Sequence, residues 1–111
     1  MTKMTFNDYQ DAAYKTALYP QNLKILYPLI GLAGETGEVA EKIKKVLRDN
    51  NGVFSEDKKM EIAKELGDVL WYLSAIAKDM DYSLDDIANM NLQKIQARKE
   101  NGRIHGNGDN R

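Results

Sequence analysis

Gly34-Glu35-Thr36-Gly37-Glu38, answered downstream by Glu65-Leu66-Gly67-Asp68, are the stretches around which this chain is organised. Each carries two carboxylates three residues apart inside an apolar pattern of helical period, so each pair projects from one side of its own helix. At about 100° per residue, Glu65 falls in the arc of Ile62, Val69, Leu73 and Ile76, with Asp68 at its shoulder. Glu35 borders the stripe of Leu32, Val39, Ile43 and Val46, and Glu38 lies one step further out. Carboxylates beside apolar faces need compensation. A hard divalent cation, Mg²⁺ or Mn²⁺, suits four such oxygen donors. The plainer alternative is surface acids, or acids paired with Lys42, Lys44 or Lys64.

The whole chain narrows the field. Its 111 residues suffice for one hydrophobic core but not two. Acids and bases nearly balance at a net charge of -1, which argues against a binder of polymeric nucleic acid. Without cysteine there is neither a disulfide framework nor a thiolate metal site. No apolar run is long enough to span a membrane, and the polar start does not resemble a signal peptide, so a cytoplasmic protein is expected.

Helical periodicity accounts for the rest. Thr5 with Asp8 reads as a capping box, with Asp in place of the usual Glu, opening a helix that carries Phe6, Tyr9, Ala13 and Leu18. Tyr19-Pro20-Gln21-Asn22 ends or interrupts it. A short apolar segment from Leu23 to Tyr27 meets Pro28, and a second helix is expected from about Leu29 to Asp49, closed by Asn50-Asn51-Gly52. Gly31, Gly34 and Gly37 recur within it, each costing roughly 1 kcal/mol against alanine, so they imply a close approach by another helix or a ligand. Ser55 caps a third helix running to about Met80, whose centre, Val69-Leu70-Trp71-Tyr72-Leu73, is apolar nearly all round. In so small a domain this points to a partner subunit. Ser83 with Asp86 opens a last helix that fades at Lys99-Glu100-Asn101-Gly102. The fold class is therefore all-α, a single four-helix-bundle-like domain over residues 1–103, followed by a tail, 104–111. Arg103 and the tail's His105, Arg111 and glycines, with Lys94, Arg98 and Lys99 before them, read either as a frayed C-terminus or as a basic arm suited to closing over phosphate.

Chemistry narrows further by elimination. A di-iron bundle needs Glu-x-x-His on two helices, yet the only histidine is His105. A glycosidase needs two acids across a sugar cleft, and an EF-hand needs its ligands in one short loop. Metal-assisted attack on a phosphate fits the four acids better.

The paired Glu35-x-x-Glu38 and Glu65-x-x-Asp68, with Leu32 to Val39 and Glu65 to Leu73 around them and Asn91-Leu92-Gln93-Lys94-Ile95-x-x-Arg98 behind, resemble the all-α nucleoside triphosphate pyrophosphohydrolases. This is the MazG-like group that includes dimeric dUTPases, dCTP pyrophosphatases and phosphoribosyl-ATP pyrophosphatase. The resemblance spans roughly Thr5 to Arg103. It implies hydrolysis of a nucleoside triphosphate between the α and β phosphates, with Glu35, Glu38, Glu65 and Asp68 holding Mg²⁺, Mn²⁺ being an alternative. It implies Glu38 or Glu65 at the attacking water and Lys94 and Arg98 on phosphates. Tyr72, one turn after Asp68, is placed to meet sugar or phosphate, or equally is an amphipathic core residue. Glu61 is a reserve ligand or outer-shell partner, while Lys42 reads as a phosphate contact or, in preference, as the i+4 partner of Glu38. Phe6, Tyr9, Tyr14 and Trp71 are candidates to hold the base, or core residues. The paired motif occurs once, so the site is assembled from a single unit or completed by a neighbour; the resemblance to family members of this size implies a homodimer or homotetramer, in keeping with the apolar third helix. The competing reading is a non-enzymatic helical oligomerisation module, its acids forming a structural metal site or a salt-bridge cluster.

Overall fold

In a computed structural model, which describes residues 3–102, the chain forms four α-helices: α1 Phe6–Tyr14, α2 Leu26–Asp49, α3 Glu56–Asp79 and α4 Leu84–Glu100. A single 3₁₀ turn, Gln21–Leu23, lies between α1 and α2. The two 24-residue helices α2 and α3 pack together as a hairpin, α1 lies on α3, and α4 lies on α1. Among the described residues no helix is long and apolar enough to cross a membrane. The tail over 104–111, with Arg103, lies outside them.

Three helix starts follow the sequence. Thr5 Oγ1 accepts from the Asp8 amide and Asp8 accepts from the Thr5 amide, each at 3.0 Å, so the shorter acid completes the box. Ser55 and Ser83 accept from the amides of Lys58 and Asp86 at 3.2 and 3.1 Å. Two boundaries differ. α1 stops at Tyr14, leaving Leu18 91% exposed, and the Thr16 hydroxyl donates to the Ala13 carbonyl at 2.7 Å, offering the backbone an alternative to another turn. α2 begins at Leu26, before Pro28 rather than after it. Pro28 occupies the first turn, where helical amides have no partner to lose, and it is fully buried.

The entry to α2 is strained and clamped. Ile25 has φ 68° and ψ −55°, and the Leu26 amide donates back to the Lys24 carbonyl at 2.7 Å, forming the γ-turn of the rarer, strained hand. The Asp79 carboxylate, at the end of α3, holds this turn. It accepts from the Ile25 amide at 2.9 Å, the Tyr19 hydroxyl at 2.7 Å and the Tyr14 hydroxyl at 2.5 Å. Burial acts to raise the Asp79 carboxyl, but the Tyr14, Ile25 and Tyr19 hydrogen bonds with the Lys24 charge outweigh it, leaving Asp79 below the usual range.

A second tie joins α1 to both ends of the loop before α4. Buried Gln10 donates to the Tyr82 carbonyl at 3.0 Å and accepts from the Leu84 amide at 3.2 Å. Asn7 accepts from the Asp85 amide at 3.0 Å.

Candidate active site

The α2–α3 hairpin brings three of the four acids together. Carboxylate oxygens of Glu35, from α2, and of Glu65 and Asp68, from α3, lie within 4.8 Å of one another. Glu35 and Glu65 are half-buried and Asp68 is exposed, so the cluster rims a cleft rather than sitting in the core. Glu38 is exposed, one step round α2, and is not among these three. None of the ion pairs among the described residues involves these four acids.

Unbalanced negative charge marks the cluster. Its hydrogen bond with Glu65 raises the Glu35 carboxyl above the ordinary glutamate value, aided by desolvation and by the charges of Asp68, Glu65 and Glu38. The donor set fits a hard divalent ion. Three carboxylate oxygens within 4.8 Å of one another are near enough to be shared by one such ion.

An aromatic wall adjoins the acids. Glu35, Asp68, Trp71 and Tyr72 line an open cavity of about 350 Å³. The Trp71 and Tyr72 rings meet edge to face, centroids 5.0 Å apart and planes at 84°, and the Trp71 indole N–H donates to the Thr16 hydroxyl at 2.9 Å. Tyr72 lies directly over the backbone of α2. A Cβ at Gly31 would sit 2.2 Å from its ring, whereas Gly34 and Gly37 face open space. Of the three recurrent glycines, Gly31 therefore makes the close approach within the chain. Desolvation raises the Tyr72 phenol, as do the charges of Tyr27, Glu35 and Asp68.

The remaining candidates separate. Tyr14 is committed to Asp79. Phe6 and Tyr9, with Leu70 and Asp85, line an apolar cavity of about 460 Å³. Desolvation raises the Tyr9 phenol, and the Asp68 charge adds to it. On α4, Lys94 is half-buried and Arg98 only 7% exposed, and neither lines the cavity beside the acids. Glu61 pairs with Lys58 at 3.3 Å. Lys42 makes no ion pair with Glu38 among the described residues and faces a cleft with Lys45 and Lys58. Sequence reasoning missed Thr16, whose only signal was its place just beyond α1, and the meeting of Lys45 and Lys58 at one cleft, which appears once the hairpin register is known.

The "Gene 37 protein" of Mycobacterium phage L5 is 44% identical over 109 residues, covering 93% of this chain and 96% of its own. No solved structure matches. The profile of the MazG nucleotide pyrophosphohydrolase domain matches residues 26–102, which contain all four acids and the helices that carry them. By that match and by the helical hairpin that gathers the carboxylates, the chain belongs to the MazG nucleotide pyrophosphohydrolase domain family.

Proposed function

We propose that this protein is a Mg²⁺-dependent nucleoside triphosphate pyrophosphohydrolase, with Mn²⁺ as an alternative ion, converting a (d)NTP and water to (d)NMP and pyrophosphate. The observation that carries this reading is three converging carboxylates from two helices with no cationic side chain paired to them among the described residues. Glu35, Glu65 and Asp68 hold the ion, with Glu38 beside them as a fourth acid. Such an ion neutralises phosphate oxygens and lowers the pKa of a bound water.

The other groups orient the substrate. Glu38, exposed and outside the trio, is assigned to the attacking water together with Glu65. Water adds to the α-phosphorus, the bond to the α–β bridging oxygen breaks, and pyrophosphate leaves with that oxygen. Trp71 and Tyr72 offer ring surfaces to the nucleoside, which stacks on aromatics with little regard to base identity. Lys94 and Arg98 are assigned to phosphates. As neither lines the acid cavity of its own chain, assembly has to bring them to one.

Self-association has its own support. Among the described residues the buried apolar side chains are Pro28, Val46, Ala75, Ala77 and Leu84. Large apolar side chains stand at the surface instead, among them Leu29, Ile30, Leu66 and Leu73, each more than 40% exposed. Covering such side chains is what a homodimer or homotetramer would do. A cytoplasmic setting, where nucleoside triphosphates are made and used, suits the reaction.

The test is pyrophosphate release from a panel of (d)NTPs with Mg²⁺ or Mn²⁺. Wild type is expected to act on at least one nucleotide, and Glu65→Ala to lose more than about 100-fold in rate, a transition-state loss near 2.7 kcal/mol. Helicity and metal-free melting temperature should be retained, since the change relieves repulsion among acids. No release from any nucleotide with either ion would overturn the reading.

A further inference from the structure

The cavity beside the acids has walls for a metal and for rings, but no cation lines it. Further along the same α2–α3 groove, toward the loop, the sign of the charge reverses. Lys42 and Lys45 from α2 and Lys58 from α3 line a small cleft of about 160 Å³, floored by fully buried Val46. The lining itself holds one acid, Glu61, paired with Lys58 at 3.3 Å, while the Lys45 and Lys58 charges also act on Asp49, and that of Lys45 on Glu41, outside the cleft. Lys42 is half-buried, and neither Lys42 nor Lys45 is in an ion pair among the described residues. Neighbouring α2 lysines at the surface are engaged differently, Lys44 bonding Glu41 at 2.7 Å.

We propose that Lys42, Lys45 and Lys58 form an anion subsite for the pyrophosphate portion of the substrate, continuous with the acid cluster. This rests on the reading of the protein as a triphosphate hydrolase. The hairpin that sets Glu35 opposite Asp68 also sets Lys42 and Lys45 opposite Glu61 and Lys58. Lys42 follows Glu35 by two helical turns, about 10.5 Å along the axis, and a long flexible lysine reaches back over part of that distance. A triphosphate whose α-phosphate lies at the acids therefore directs its β and γ phosphates toward the bases. Unpaired ammonium groups beside a low-dielectric floor attract a polyanion more strongly than scattered surface lysines do. The nucleoside end contributes nothing to this contact, so the subsite recognises the polyphosphate whatever the base. It also retains the pyrophosphate product.

The probe is inorganic pyrophosphate with Mg²⁺, titrated into the intact protein by calorimetry. Lys42→Gln/Lys45→Gln is expected to weaken pyrophosphate binding about tenfold or more, while Lys44→Gln, outside the cleft, binds as wild type. In turnover, the double variant should raise the KM for the (d)NTP and weaken pyrophosphate product inhibition by similar factors, leaving inhibition by the monophosphate unchanged. Lys58→Gln serves as an independent second variant, and circular dichroism confirms that each is folded. Equal pyrophosphate affinity in wild type and folded variants overturns the subsite. A wild type that releases no pyrophosphate from any nucleotide overturns the hydrolase reading instead, so the two failures are distinguishable.

Discussion

At Gly31 a single added carbon would strike the Tyr72 ring, and this residue links the shape of α2 to the wall of the site. Gly31→Ala should cost about 1–3 kcal/mol by overpacking and push Tyr72 away from Glu35 and Asp68. A lower melting temperature together with a KM raised more than kcat is lowered, measured on the same preparation, checks it. The glycine spacing announced a close approach, but only coordinates show which glycine makes it. Gly34 and Gly37 share the stripe and meet nothing within 4 Å in the chain. The acids were easier to find, because helical period alone sets Glu35 and Glu65 at the edge of apolar stripes, and both are half-buried. Lys42 was only half legible. A phosphate contact was one reading of it, but its i+4 spacing from Glu38 favoured a local pair, and its actual neighbours come from a helix whose register the sequence does not print.

At the scale of elements, caps were readable and entries were not. Thr5, Ser55 and Ser83 act within three residues of themselves, so their chemistry is visible in the chain. Pro28 misled because proline breaks a helix only where an amide is needed, and the first turn needs none. The Asp79 clamp joins residues 54 to 65 positions apart, beyond any periodicity argument. Asp79→Asn keeps the shape but removes the charge from three hydrogen bonds, and should destabilise the fold by about 2 kcal/mol. The pH dependence has a definite sign. Since the Asp79 carboxyl is lowered in the folded chain, its contribution is complete above the unfolded aspartate range, about pH 4, and is lost as pH falls through the folded value. Melting curves from neutral to acid pH should show wild type losing this increment, and the asparagine variant lacking it throughout. Ile25→Gly relieves the left-handed backbone at the clamped turn and should raise the melting temperature, against a strain of order 1–3 kcal/mol.

At the scale of the molecule, α3 is where the proposed self-association is most directly tested. Leu66 and Leu73 on α3 and Met80 just beyond its end follow at seven-residue spacing, each more than 40% exposed. An apolar seam of this kind suits a second surface. Leu73→Glu is expected to shift the protein toward monomer in analytical ultracentrifugation and to reduce pyrophosphate release with it. A variant that stays assembled and active would remove α3 from the interface. The all-round apolar centre of α3 was visible in the sequence, but the face left uncovered was not, because that depends on where α1 and α2 dock.

In the assembly proposed above, where a second copy covers apolar side chains that one chain leaves open, dilution acts on this protein as a denaturant. Its melting temperature should climb with protein concentration, by mass action, where a self-sufficient domain would show one value at every concentration. A cell making few copies would then hold chains without a working site, and output would rise more steeply than in proportion to the number of chains synthesised.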